Sequence, residues 1–306
     1  SRKFAHKLQY VWLGMQFLWD HLLKRYDVIH AQSPFPSGVL ASFLNRLLGI
    51  PWILSFHAGE AAYMPEVPFG DLLHPVLSKA NKAISQRANA IITMSKYQAE
   101  MVHKNLNVTK PVRVIPRGIV VPPFYPKPVI KPLRILHIAH YHPIKDPHTL
   151  LNTFAILSAR IPCSLIIAGA NYGKEFDDAV VQAGLEKKVT VLGRVSHIAT
   201  TVLLRDHHIL LHTSRFEGLP MVALEAMAHG VAVCGTHVGI MADLSGECCI
   251  TVPPGEYELL AREIESLIED KDRYNQLCKH AYNWVKEHDM NWYVNQLEEC
   301  YRDVTQ

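Results

Sequence analysis

Short apolar, β-branched runs alternate with helical patterns along the whole chain. In the first half the runs "DVIHA" (27–31), "PWILSF" (51–56), "NAIITM" (89–94) and "VRVIP" (112–116) predict strands. Between them "SGVLASFLNRLLG" (37–49) and "YQAEMVHKNL" (97–106) predict helices. In the second half the strand patterns are "LRILHIA" (133–139), "CSLIIAG" (163–169), "KVTVLG" (188–193), "HILLHTS" (208–214), "VAVCGT" (231–236) and "CCITVP" (248–253). Alternation at this spacing implies parallel sheets with helices on both faces, an α/β class. Pro122, Pro123, Pro126, Pro128 and Pro132 crowd one stretch. Proline lacks the donor that a helix or inner strand needs, so 122–132 is expected to be a stiff linker. The expected organisation is a first domain over 1–121, the linker, and a second domain over 133–289. A helical stretch over 284–304 follows, and residues 290–306 are expected to pack back on the first domain. In "LQYVWLGMQFLWDHLLKRY" (8–26), Leu8, Trp12, Met15, Trp19 and Leu22 recur at helical spacing. They predict a core-facing helix in preference to an interfacial membrane helix.

Composition narrows the class. The 306 residues suggest two domains, and 49% hydrophobic with 19% charged residues suits a globular chain with a real core. The net charge of +3 is too small for a dedicated nucleic-acid binder, so no nucleic-acid partner is expected. Mild basicity still suits an anionic small ligand such as a nucleotide diphosphate, or an anionic membrane surface. The six cysteines form no C-x-x-C pair and read as reduced, mostly buried thiols of a cytosolic protein. Eighteen histidines raise the question of zinc, but "HYHP" (140–143) and His207-His208 lack companions at ligand spacing, so no metal is expected. No signal peptide and no run of eighteen apolar residues is visible, so no transmembrane helix is predicted.

Ligands of open parallel sheets bind beyond the carboxyl ends of the strands. One such turn is "SRFEGLPMVALEAMAHG" (214–230). Pro220 suits a first helical turn, and Gly230 suits the position just past the helix end. Unpaired amides around Gly218, Leu219, Pro220 and Met221 would favour an anion. Glu217 lies in the turn. Glu225 lies about five residues into the helix, roughly 7.5 Å along its axis. Spacing alone leaves two readings open: a carboxylate pair aimed at one ligand, or a loop acid and a solvated helix acid.

The stretch "SRFEGLPMVALEAMAHGVAVCGTHVG" resembles the signature of retaining glycosyltransferase family 4, whose GT-B fold sets two Rossmann-like doubly wound domains across a cleft. The resemblance implies that Glu217 touches a donor sugar, that Gly218 to Met221 supply amides to sugar and phosphate, and that Glu225 bonds the ribose hydroxyls. "ILHIAHYHPIKDPHTLLNTFAIL" (135–157) resembles the family segment that carries an arginine and a lysine for the diphosphate. Lys145 matches the lysine. His140 stands at the arginine position and lacks a permanent, bidentate charge. "LIIAGANYGKEFDD" (165–178) and "VTVLGRVSH" (189–197) resemble the loops that line the base, which points to the backbones of Gly169, Gly193 and Val195. In "THVGIMADL" (236–244), Ile240 and Asp243 replace a glycine and a glutamate common in the family. In the first domain, "VIHAQSPFPSGVLASFLNRLLGIPWILSFHAGE" (28–60) resembles the acceptor-side segment that ends in a His-Gly element. Here Ala58 separates His57 from Gly59, and the resemblance places His57 by the reacting sugar. Arg117 stands where asparagine is common. Nothing resembles the family's opening strand, Gly-rich turn and helix, so the first domain is expected to be truncated by on the order of 80 residues.

The resemblance thus implies retaining transfer from a nucleoside-diphosphate sugar to an acceptor hydroxyl, in cell-surface polysaccharide or glycolipid synthesis. Its catalytic residues would be Glu217, His57 and Lys145. Its donor-binding residues would be His140, Lys145, Gly169, Val195, Glu217, Gly218, Leu219, Pro220, Met221 and Glu225. It implies no cofactor and no metal. The partners would be the donor and a glycan or lipid-linked acceptor, in the cytoplasm with peripheral contact at the inner membrane face. The alternative is a non-catalytic or fragmentary nucleotide-sugar-binding protein of the same fold. An NAD-dependent Rossmann enzyme is disfavoured, because no strand is followed by G-x-G-x-x-G.

Overall fold

The structure is a computed structural model that describes the backbone of residues 2–306 and the side chains from residue 12 onward. Its contacts divide the chain into two compact units, Ser1–Pro116 with Tyr293–Gln306, and Arg117–Trp292.

The first unit runs α1 (Arg2–Lys24), β1 (Ile29–Ala31), α2 (Val39–Leu48), β2 (Trp52–Ser55), α3 (Pro75–Ser85), β3 (Ala90–Thr93), α4 (Lys96–Leu106) and β4 (Val112–Val114). Its sheet has the order β1-β2-β3-β4, with every pair parallel. Trp52, Leu54, Phe56, Ile91, Val102 and Leu106 fill its core. Helix α4 starts where the Ser95 side chain accepts the Gln98 N–H, the usual N-cap arrangement.

The core-facing expectation for α1 is wrong. Trp12, Met15, Trp19 and Leu22 are exposed, the last two at 67% and 76%. Leu8 lies outside the described side chains. The covered stripe is a neighbouring one. Gly14 is buried, with Leu40 of α2 close to it, and Phe17 rests on Tyr26. Periodicity identifies residues that share a face; it does not say which face is covered.

The second unit runs β5 (Leu133–Ile138), α5 (Pro147–Arg160), β6 (Cys163–Ala168), α6 (Lys174–Gln182), β7 (Val189–Gly193), α7 (His197–Asp206), β8 (Ile209–His212), α8 (Met221–Ala228), β9 (Ala232–Thr236), α9 (Gly239–Asp243), β10 (Ile250–Val252), α10 (Tyr257–Glu269) and α11 (Lys271–Glu287). The six strands lie in the order β10-β9-β8-β5-β6-β7, all parallel. Both faces are covered, which is why these strands read as continuous apolar runs. Alternate residues feed opposite cores. Ile135, Leu165, Ile209 and Leu211 join one cluster, and Leu136, Leu210 and Val233 the other. All six cysteines are free and buried.

Residues 117–132 pack on this second unit. The Tyr282 hydroxyl donates to Pro122 O at 3.0 Å, and the Phe124 ring lies 4.8 Å from that of Tyr282. The division therefore falls at Pro116/Arg117, ahead of the sequence-derived bound at 121 and of the proline-rich stretch. The 284–304 stretch is two helices. Helix α11 ends at Glu287, and α12 (Met290–Thr305) begins after Asp289, whose carboxylate accepts the Trp292 N–H at 2.9 Å. Residues 293–306 belong to the first unit, where Asp303 pairs with Arg113 and the Tyr301 hydroxyl bonds His30 Nδ1 at 2.9 Å.

Candidate active site

In the second unit the chain proceeds outward from β5 through β6 to β7, then returns to place β8 on the other side of β5. The boundary between β5 and β8 is a topological switch point, where the loops beyond two adjacent strands diverge and leave a crevice. Lys145 lies in the loop after β5, and Glu217 in the loop after β8.

Backbone and side-chain bonds tie the two loops together. Arg215 N–H donates to Ile144 O at 2.8 Å, and the Thr213 hydroxyl bonds Lys145 O at 3.0 Å and Asp146 O at 3.2 Å. Arg215 Nε donates to the buried Asp146 carboxylate at 2.9 Å. Asp146 adopts a left-handed backbone (φ 49°) and caps α5 through Thr149 N–H at 3.1 Å. Lys145 is thereby pinned at the end of a short turn (Pro143–Lys145), and its ammonium donates to Glu217 Oε1. The Ser214 hydroxyl donates to the same oxygen at 2.9 Å, and His212 Nε2 lies 3.4 Å from it. Burial alone would raise the Glu217 carboxyl. His212 and Lys145 more than offset this and hold it down at about 2. Glu217 is a carboxylate at neutral pH.

Helix α8 begins at Met221. Pro220 is its N-cap (ψ 97°), one position earlier than the expected first-turn place, and no side chain caps this end. The first-turn amides of a helix have no intrahelical partner and carry a partial positive charge, so an uncapped end suits an anion. Gly218 and Leu219 complete the turn. Gly230 ends the helix at φ +66°, as expected of a glycine just past a C-terminus. Glu225 is half-buried, and burial raises its carboxyl above the ordinary value. It lines a cavity of about 470 Å³ together with Met221, His197, Thr201, Arg205 and Arg117.

The other loops are held as closely. A Cβ on Gly169 would sit 1.7 Å from Ala139 O, so only glycine lets the ends of β5 and β6 approach this nearly. Gly169 N–H donates to Gly193 O at 2.8 Å, and half-buried Val195 follows. The Ala170 N–H donates to His140 Nδ1 at 2.9 Å. Nδ1 is thus an acceptor, and in the neutral ring Nε2 carries the proton. His140 can therefore donate a hydrogen bond without being charged, which an arginine does with charge. Lys145, Glu217, Gly218, Leu219, Pro220, Met221, Glu225, His140, Gly169 and Val195 all belong to the second unit. His57 belongs to the first. It follows β2, its Nε2 bonds Gln32 Oε1 at 2.8 Å, and its N–H donates to Glu60 Oε1 at 3.3 Å.

Sequence reasoning passed over His212, Ser214, Asp146 and Arg215, and in the first unit Gln32 and Glu60. The one visible signal was a histidine, His212, ending an otherwise apolar strand pattern. Among the described residues no group of three or more His, Cys, Asp or Glu could hold a metal ion. Among them also, no helix is long and apolar enough to cross a membrane.

Two family models match, "Glycosyl transferases group 1" over residues 126–284 and "Glycosyltransferase Family 4" over residues 2–121. The chain belongs to the group 1, family 4 glycosyltransferases. A relative is the 2-deoxystreptamine N-acetyl-D-glucosaminyltransferase of Streptomyces fradiae, 25% identical over 80% of this chain and 63% of its own length. The chain thus spans less than two thirds of that relative. Among solved structures, sucrose-phosphate synthase from Thermosynechococcus elongatus superposes with a TM-score of 0.80 at 22% identity, covering 95% of this chain and 77% of that one. Anabaena HepE in complex with UDP-glucose superposes with a TM-score of 0.75 at 20% identity, covering 95% and 82%. The fold is GT-B, with two parallel-sheet α/β units.

Proposed function

We propose that the chain transfers a sugar from a nucleoside-diphosphate sugar to an acceptor hydroxyl with retention of configuration. The observation that carries this is the meeting of Lys145 and Glu217 at the switch point, beside the uncapped start of α8. The leaving diphosphate gathers negative charge as the glycosidic bond breaks. In this reading the α8 amides and the His140 Nε2–H stabilise such charge without reorganising, the largest single term in many enzymes, and Lys145 turns from Glu217 to join them. Glu217 positions the sugar and supports its positive character; no covalent intermediate is assigned to it. Glu225 accepts from the ribose hydroxyls, and the backbones near Gly169 and Val195 border the base. His57 of the first unit serves the acceptor side. The chemistry uses no metal in this reading. A glycan or a lipid-linked glycan is the acceptor class, and the setting is cytoplasmic, with peripheral membrane contact where the acceptor is lipid-linked.

His140 in place of arginine favours a second reading, a protein that binds a nucleotide-sugar without transferring it. One experiment separates the two. The protein is screened for thermal stabilisation by UDP-glucose, UDP-N-acetylglucosamine and GDP-mannose, and release of the nucleotide from the ligand that stabilises most is then measured with water alone and with added glycan and lipid-linked glycan acceptors. A ligand at about 100 times its Kd adds about 2.7 kcal/mol to a native state that alone binds it. Stabilisation with turnover supports transfer, and stabilisation without turnover supports the second reading. No stabilisation by any of the three, with no turnover, removes both.

A further inference from the structure

His212 ends β8 with 2% of its surface exposed, and its Nε2 makes no hydrogen bond of ordinary geometry, although from 3.4 Å it already helps to hold the Glu217 carboxyl down. Buried ring nitrogens in native structures are nearly always satisfied, so an orphan calls for an explanation. This one points at Glu217, 3.4 Å away at Oε1. A closure of about 0.5 Å would make it an ordinary N–H···O bond. What stands in its place is a crowd. Lys145 Nζ and Ser214 Oγ already occupy Oε1, while among the described residues Oε2 takes no hydrogen bond.

That arrangement conflicts with the proposed function, on which this inference rests. Lys145 is a single ammonium. If it turns to a diphosphate, Glu217 Oε1 loses its main partner while remaining a buried carboxylate. We propose that His212 is a positioning residue: when Lys145 leaves for the donor diphosphate, His212 Nε2–H takes over Glu217 Oε1 and keeps Oε2 aimed at the sugar. Among the described residues, Glu217 lies beside His212, and His137 on adjacent β5 interacts electrostatically with both His212 and Lys145. His137 Nδ1 donates to Leu211 O at 2.8 Å, since a carbonyl can only accept. His137 is neutral: burial pushes it down to about 3 despite that bond, with His212 and Lys145 adding to the effect. It therefore brings no competing positive charge to the handover. The Nε2 of His212 is then a reserve donor that the ligand-free pairing keeps waiting.

The test begins without ligand, so that it does not depend on the donor reading. Lys145→Met mimics the departed lysine. In the full-length, nitrogen-15-labelled protein, imidazole NMR is expected to show His212 as the Nε2–H tautomer. Its N–H proton should move downfield in Lys145→Met relative to the wild type. The shift should vanish in the Lys145→Met, Glu217→Ala double variant. An Nδ1–H tautomer, or no change on Lys145→Met, overturns the proposal. The second arm follows UDP release from UDP-glucose as the glucosyl group passes to water or to an added glycan acceptor. His212→Gln keeps an N–H donor and should retain activity. His212→Phe should lower kcat about tenfold or more, the loss expected for a hydrogen bond to a charged group, with KM little changed. Equal losses in both variants overturn the proposal, because a merely structural role would not distinguish them. A wild type that neither binds nor turns over UDP-glucose, beside a positive ligand-free result, counts against that donor and leaves the His212–Glu217 bond established.

Discussion

Lys145 and Glu217 lie 72 residues apart in sequence and share a salt bridge at the ends of two adjacent parallel strands. The pairing depends on β8 returning to the free side of β5. It sets a cation and an anion in one crevice, where a ligand carrying both a diphosphate and a polyhydroxyl group could engage each.

The first prediction follows from that division of charge. Glu217→Gln keeps the shape and removes the charge, so transfer should fall sharply while the protein stays folded. Lys145→Ala should weaken binding of the diphosphate instead, by roughly 1.5–3 kcal/mol, the range for a hydrogen bond to a charged group. Calorimetry with UDP and a turnover assay on both variants separate these effects. Normal turnover by Glu217→Gln would remove its assigned role.

Acid should destabilise the fold early. His137 and His208 are buried; burial lowers them to about 3 and about 4, against 6.5 for the free side chain. His208 Nδ1 also accepts the Arg134 N–H, a bond that protonation there would break. A lowered histidine means that the unfolded chain takes up a proton below pH 6.5 while the native protein does not. Stability from these groups is therefore full above 6.5 and declines as pH falls toward their native values. Between pH 6.5 and 5 each can remove up to about 2 kcal/mol, at 1.36 kcal/mol per unit. Glu217 acts in a lower window, between 4.5 and about 2. Thermal melts from pH 7.5 to 5 should show Tm falling, and His137→Gln should flatten the slope. A flat wild-type profile would contradict this account.

The second unit's strands were legible because both faces of a parallel sheet are covered, so "HILLHTS" and "VAVCGT" read as unbroken apolar runs. The stripe through Trp12, Met15, Trp19 and Leu22 was equally legible as a helix and misleading as a core, since periodicity carries no information about what covers a face. Asp289 interrupts the last helical pattern by capping α12, a role its bare sequence position does not announce. The site divides in the same way. Glu217 and Lys145 could be picked out individually by resemblance. Their salt bridge could not be seen, because it depends on the order of strands in the sheet. His212 was visible only as a histidine ending an apolar strand pattern, and its geometry beside Glu217 gives that position its meaning.

Gly169 offers a test of the loop scaffold alone. The Cβ of Gly169→Ala would meet Ala139 O at 1.7 Å, backbone against side chain, with nothing flexible to yield. The loops after β5 and β6 must then separate. Tm should drop by an amount that corresponds to more than about 2 kcal/mol, as for other strained or overpacked substitutions. A variant as stable as the wild type would show that the loops separate freely, and that Gly169 does not set the distance between them.

Glu225 makes the sharpest test of the nucleotide pocket, because its proposed role predicts a preference as well as an affinity. It lines the cavity with Met221 and His197. If its carboxylate accepts from the ribose hydroxyls, the wild type should bind UDP about tenfold or more tighter than 2′-deoxy-UDP, the worth of one hydrogen bond to a charged group. Glu225→Ala should weaken UDP binding until the two ligands bind alike, while 2′-deoxy-UDP is little affected. Burial raises the Glu225 carboxyl above its usual value, so it takes up a proton at a higher pH than an exposed glutamate. A protonated carboxyl is a poorer acceptor, so the wild-type preference should weaken as pH falls, and at a higher pH than an exposed glutamate would give. Calorimetry with both ligands at pH 7.5 and 5 measures all of this. A preference that survives in Glu225→Ala would show that the ribose is read elsewhere, and Glu225 would then be an ordinary half-buried helix acid.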